Sequence, residues 1–143
     1  MVNYPVDFEA KAEASQDSDD WSLATSEGLE TEMSTPEDFG GDSENPSPED
    51  LFNASLSSCI LATFKITAER KDLDYQKITV NSKTSLDRNE DGRPVMKSAE
   101  LQVEVKGVSD IELAKEVARI TEKNCFIHNA VKTDVNTDFE YTE

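Results

Sequence analysis

Residues 47–70, SPEDLFNASLSSCILATFKITAER, constrain this chain more than any other stretch, because they form its only long run rich in apolar and small side chains. Between Leu51 and Ala68 the apolar positions are Leu51, Phe52, Ala54, Leu56, Ile60, Leu61, Ala62, Phe64, Ile66 and Ala68. On a helix these fall on every side, and a helix that is apolar all round is a buried helix. Its start is well marked. Ser47 can act as N-cap, Pro48 fits the first helical position, and Asp50 closes an S-x-x-D capping box. The run from Leu51 to Phe64 is 14 residues long before Lys65 interrupts it. That is too short, and too rich in Ser and Asn, for a membrane span. The reading is a buried core helix with one thiol, Cys59, set into its middle.

A chain of 143 residues fits one domain and can bury a real core. Its 31 acidic side chains outnumber 14 basic ones, for a formal charge of −17. Such a balance argues against nucleic-acid partners, which need Lys and Arg against phosphate, and against anionic membrane surfaces. The acids are spread along the chain and do not gather in one tail. A very soluble surface is the plain explanation. The sharper one, which we take, is a protein suited to high internal salt, where self-repulsion is screened. The N-terminal residues MVNYPVDFEA hold no basic start and no apolar block, so no signal peptide is expected. With two cysteines and no export signal, a reducing cytoplasm is the expected location. A single His and two distant Cys lack the spacing of a zinc site.

Along the chain, Val2, Tyr4, Val6, Phe8, Ala10, Ala12 and Ala14 alternate with mostly polar residues, the pattern of a half-buried strand. Pro5 cannot donate to a ladder, so the expectation is a strand that lies at an edge or begins near there. Residues 16–20 are an acidic turn. Trp21, Leu23 and Thr25, the turn Ser26-Glu27-Gly28, and Leu29, Thr31 and Met33 read as a β-hairpin. Residues 34–46 form a loop punctuated by Pro36, Gly40, Gly41 and Pro46. After the core helix, Ile78 to Leu86 and Ala99 to Val105 alternate as two strands around the turn at residues 87–94, which carries an Asp-Gly signal. Gly107 ends the second of them. Ser109 and Glu112 form another capping box, and residues 110–123 show Ile111, Leu113, Val117 and Ile120 at helical spacing. Glu116 with Arg119, and Arg119 with Glu122, can pair on its wet face. Val135, Thr137, Phe139 and Tyr141 alternate as a last strand. Three strands, a helix, two strands, a helix and a strand make an α+β fold, with antiparallel sheet and the helices against one face.

Four residues stand out for chemistry. Cys59 is flanked by Ser55, Ser57 and Ser58, small enough to admit a ligand or a close partner; a free Cys also packs as an ordinary small apolar residue. Cys125 lies just after the second helix, where a new helical turn would favour its thiolate. Two distant thiols are a candidate redox couple, although sequence alone does not place them in bonding range. His128, three residues on, could face Cys125. Glu49, in the first turn of the core helix, suits the helix dipole there; a functional role would need a cationic partner.

The block GGDSENPSPEDLFNASLSSCILATF, with NCFIHNAVK placing its Cys 66 residues beyond Cys59, resembles the OsmC/Ohr family of thiol-dependent hydroperoxide reductases. That family's signature is a Gly-containing loop, then P-E-x-L, small residues, and a Cys ten positions after the Glu. A later C-P-x-x-N-A follows. Here Pro48, Glu49, Leu51 and Cys59 match the first part, and Cys125, Asn129 and Ala130 match the second, with Phe126 where the family has Pro. The order of elements agrees along the whole chain, so the resemblance implies a single OsmC-like domain over residues 1–143. It implies an antiparallel sheet packed on a buried central helix in an intertwined homodimer. It also implies organic hydroperoxides as substrate: Cys59 attacks the peroxide, Cys125 resolves the product to a disulfide, and an external dithiol reductant reopens it. No other cofactor is implied. In the family's peroxidase members an N-terminal Arg holds the reactive thiolate and pairs with the Glu that Glu49 matches. This chain has no Arg before Arg70, and Lys11 is the only cation in its first 64 residues. The alternative reading is a non-catalytic OsmC-like dimer that binds a small apolar ligand or senses oxidants.

The charge reading has a direct consequence. If the acidic surface is an adaptation to salt, the urea midpoint of unfolding should rise steadily as KCl goes from low concentration into the molar range. A midpoint that stays flat removes that explanation.

Overall fold

In the computed structural model, which describes residues 1–42 and 44–143, the chain forms two compact units, Met1–Leu51 and Phe52–Glu143. Ser43, inside the loop expected at residues 34–46, lies outside the described residues.

The first unit is a three-stranded meander in the order β1-β2-β3, made of β1 (Ala10–Glu13), β2 (Trp21–Thr25) and β3 (Glu30–Met33). Both ladders are antiparallel, with Ala12 opposite Leu23 and Leu23 opposite Thr31. The hairpin expected at residues 21–33 is present. The first strand differs from its expected form. It is four residues long and fully exposed, and Val2, Tyr4, Val6 and Phe8 before it are exposed as well. It lies at a sheet edge, and it begins after Pro5, which stands outside the ladder. Alternation marks a face that could be covered, and nothing in this unit covers this one. In the loop that follows, Gly41 donates to the Pro36 carbonyl at 3.1 Å, and a Cβ there would overlap the Thr35 carbonyl. Only Gly tolerates so close a backbone approach.

Helix α1 (Pro48–Arg70) opens with the expected capping box. The Asp50 amide donates to Ser47 Oγ at 3.1 Å, and the Ser47 amide donates back to Asp50 Oδ2 at 2.9 Å. At 23 residues the helix outruns its 14-residue apolar run and, by length and composition only, is long and apolar enough to cross a bilayer, unlike the expectation from that run. Its packing belongs to the second unit. Leu56, Ile60, Phe64, Thr67 and Ala68 are buried, whereas Ala54, Ser58, Ala62 and Ile66 are exposed. The helix is therefore buried along one stripe and not on all sides. Its other side carries mostly Ala and Ser, which cost little to leave wet.

That stripe packs on a sheet ordered β4-β5-β6, built from β4 (Lys77–Arg88), β5 (Pro94–Lys106) and β6 (Asp134–Tyr141). β4 and β5 form a long antiparallel hairpin, with Gly92 at φ 79° in its turn. β5 and β6 pair in parallel, the one departure from the expected antiparallel sheet. A parallel pair needs a crossover of a dozen or more residues, and helix α2 (Ile111–Asn124) supplies it. Ala99, Leu101, Val103 and Val105 of β5 face one core with Leu56, Ile60, Phe64, Ala114 and Val117, while Glu100 and Gln102 point to water. Both helices therefore cover one face. The Phe64 ring lies edge-on to Tyr75 at 5.6 Å and stacks on Phe139 at 6.3 Å. Asn53 ties α1 to β4, donating to the Ser82 carbonyl at 3.3 Å and accepting from Thr84 Oγ1 at 2.6 Å.

Two expected details of α2 shift. Its N-cap is Asp110, which accepts from the Leu113 amide at 3.1 Å, while Ser109 Oγ accepts from the Asp74 amide instead. Glu116 pairs with Lys71 at 2.9 Å and not with Arg119, because the lysine that follows α1 comes within reach.

Two measurements check this packing. Phe64→Ala should cost about 3–5 kcal/mol in urea unfolding, against no more than about 0.5 kcal/mol for Ser58→Ala on the open side. Burial, helped by the Glu122 carboxylate, pushes the Tyr141 phenol from 10.0 up to about 12. The folded chain then keeps a proton that the unfolded chain loses, so stability should fall as pH rises through that window. Tyr141→Phe should remove that part of the slope.

Candidate redox site

The two thiols expected to form a couple are joined. Cys59 and Cys125, 66 residues apart in sequence, form a disulfide with their Cα atoms 6.1 Å apart, inside the usual range for such bonds. α1 sets Cys59 at the flank of its buried stripe, one residue before Ile60, so this sulfur's residue is only half-buried. Cys125 is fully buried within the apolar core.

The serines around Cys59 are less available than their spacing promised. Ser55 Oγ donates to the Phe52 carbonyl at 2.7 Å and Ser57 Oγ to the Ala54 carbonyl at 3.0 Å, so both hydroxyls are spent on the helix itself. Ser58 is exposed.

Cys125 directly follows the last residue of α2, and the expected turn after it forms as a short 3-10 segment at His128–Ala130. Asn129 fixes this turn. Its side-chain amide donates to the Cys125 carbonyl at 2.8 Å and to the Lys123 carbonyl at 2.9 Å, and its backbone amide donates to the Cys125 carbonyl at 3.1 Å. Carbonyls at a helix end have no partner within the helix, and Asn129 satisfies two of them. Its sequence signal was an Asn just past the end of a helical pattern.

His128 leans on α1. Burial lowers its pKa and favours the neutral imidazole, while the Leu56 backbone beside it pulls the other way. Its Nε2 is buried and has no hydrogen-bond partner. The ring also lines a polar cleft of about 440 Å³, with Glu122, Asn129, Thr133, Asp134 and Asn136. Burial, with help from Asp138, raises the Glu122 carboxyl above its ordinary value.

Glu49 belongs to the first unit and is not brought into a hydrogen-bonded cluster. Its Oε2 is buried and unpartnered. Lys11 does not serve as its cation: that side chain is exposed, with Glu13 at 3.6 Å. No group of three His, Cys, Asp or Glu side chains able to hold a metal occurs among the described residues. The chemistry this arrangement offers is a two-electron thiol–disulfide exchange.

Comparison with known proteins agrees with this reading of the residues. The pattern of the family described as OsmC-like protein matches residues 40–140. An uncharacterized protein of Acinetobacter baylyi is 26% identical over 136 residues, spanning 94% of this chain and 93% of its own length. The structure of an OsmC-like protein of unknown function from Vibrio cholerae superposes with a TM-score of 0.85 at 21% identity, covering 95% of this chain and all 100% of the other. An organic hydroperoxide resistance protein OsmC from Legionella pneumophila gives a TM-score of 0.77 at 20% identity, covering 99% and 100%. The two structures establish a shared fold and no more; with the family pattern spanning most of its length, this chain belongs to the OsmC-like protein family.

Proposed function

We propose that this protein is a thiol-dependent peroxidase that reduces organic hydroperoxides through the Cys59–Cys125 couple. The observation that carries this reading is the disulfide between two cysteines 66 residues apart, one half-open and one sealed in the core. The Cys59 thiolate attacks the terminal peroxide oxygen. The O–O bond breaks, the alcohol leaves after taking up a proton, and Cys59 becomes a sulfenic acid. The Cys125 sulfur then attacks Cys59 Sγ, and the sulfenic oxygen leaves as water. An external dithiol returns the disulfide to two thiols. These two sulfurs carry both electrons, so the cycle calls for no resident cofactor or metal. A reducing cytoplasm would sustain it.

In this proposal residues 1–143 work as one OsmC-like domain in an intertwined homodimer. The exposed apolar residues Val2, Tyr4, Val6 and Phe8, and the open side of α1 at Ala54, Ala62 and Ile66, support such an assembly. Glu49 is the residue that would orient a cation beside the reacting sulfur.

A second reading has one observation in its favour. The orphaned Glu49 Oε2, with Lys11 turned to Glu13, leaves Glu49 without a cation among the described residues. A non-catalytic dimer that binds a small apolar ligand or senses oxidants would tolerate that.

Intact mass after one equivalent of cumene hydroperoxide decides between them. Reduced wild-type protein should lose two hydrogens within seconds, Cys125→Ser should gain one oxygen, and Cys59→Ser should do neither. With dithiothreitol present, wild-type protein should turn over many equivalents. An unchanged mass over minutes, with thermal stabilisation by an apolar ligand, would establish the second reading.

A further inference from the structure

We propose that the external dithiol enters the cycle at Cys59 and never at Cys125, so that every mixed disulfide with the reductant forms on α1. This deepens the peroxidase reading and rests on it, since it concerns the return half of the same couple.

A disulfide can be opened from either sulfur, and the product differs: the attacked Cys carries the reductant, and the other leaves as thiolate. Attack also runs along the S–S axis, so the attacked sulfur must be reachable from the side away from its partner. Here the two ends are unequal. Cys125 has a relative exposure of 0% and is part of the core cluster. Its backbone is pinned by Asn129 at 2.8 and 3.1 Å, so opening a path to it means breaking the turn after α2. Cys59 is half-buried and borders exposed Ser58 and Ala62 on α1.

This asymmetry survives assembly. A partner subunit can only add to the burial of Cys125. A partner could cover Cys59 too, yet the peroxide must reach that sulfur for any turnover. The opening that admits the oxidant therefore serves the reductant.

The electrons balance as follows. A reductant thiolate forms a bond to Cys59 Sγ while the Cys59–Cys125 bond breaks. The electron pair goes to Cys125 Sγ, which takes a proton. The second reductant thiol then attacks the reductant's own sulfur in the mixed disulfide and releases Cys59 as thiolate. The dithiol ends as a disulfide, oxidised by two electrons, and the protein as two thiols.

The test starts from protein oxidised with diamide, which needs no peroxide turnover. It is mixed with glutathione, a monothiol that cannot complete the second step, quenched in acid at short times, and digested with pepsin. Glutathione should be found on the peptide containing Cys59, with Cys125 free. An adduct on Cys125, alone or beside one on Cys59, overturns the proposal. If adducts are too short-lived to isolate, single-thiol variants decide. Ellman's reagent should react at least about tenfold faster with Cys59 in Cys125→Ser than with Cys125 in native Cys59→Ser, as thiol accessibility requires. Equal or reversed rates overturn it. Failure of the peroxidase reading would show separately, as no peroxide consumed while diamide still forms the disulfide.

Discussion

The packing of α1 on β5 is the contact on which the rest depends. Leu56, Ile60, Phe64 and Ala68 on the helix meet Ala99, Leu101, Val103 and Val105 on the strand. Helical phase then decides what each remaining position experiences. At about 100° per residue, Cys59 lies about 60° around the axis from Leu56, on the shoulder of the buried stripe. A thiol at position 60 would be sealed, and one at position 58 would stand in open water. Only the shoulder holds a sulfur that a small oxidant can touch while its neighbours stay dry. The same packing must hold the two sulfurs together when their bond is absent. A disulfide closing a loop of this length constrains the unfolded chain by about 4 kcal/mol, so each reduction gives up about that much stability. The core has to bear that loss whenever the bond is open, without letting α1 and the turn after α2 drift apart.

On the α2 side the problem is different, because a buried thiol cannot rely on side-chain size alone to set its position. Cys125 sits where the backbone leaves helical geometry and carbonyls are left without partners. Asn129 answers both needs: it satisfies the Lys123 and Cys125 carbonyls and so fixes the path of the turn. His128, beside the Leu56 backbone, brings the same turn against α1. Helix and turn thus meet one helical turn before Cys59.

Much of this was legible in the sequence, for local reasons. The capping box of α1, the hairpin turns, and the alternation in β4, β5 and β6 are set by near neighbours and appear as expected. What failed to show was non-local. The apolar face of residues 2–8 promised burial, but alternation says only that a face exists, not that something covers it. The all-round apolar character of α1 likewise overstated its burial, because Ala and Ser score as apolar or small without being driven inward. The parallel β5–β6 pairing follows from α2 lying between the strands, which hairpin signals elsewhere obscured. At the site, the Cys59–Cys125 pair needed the fold, since 66 residues of separation give no distance. Asn129 carried a local signal as a residue past a helix end, but its importance depends on which carbonyls that end leaves open.

Charge enters the chemistry as well as the surface. A net charge of −17 surrounds a sulfur that must be anionic to react. A negative potential disfavours a thiolate just as a neighbouring carboxylate does. Among the described residues, no cation pairs with Glu49. Ionic strength acts on these two contributions unequally. The diffuse field of distant carboxylates is screened over about 8–10 Å at ordinary salt and over a shorter range at molar salt, whereas a close partially buried charge is screened far less. Added salt therefore weakens the long-range part of that potential at any thiolate. In a protein so acidic, the salt that screens surface self-repulsion also weakens the long-range field that a thiolate would meet.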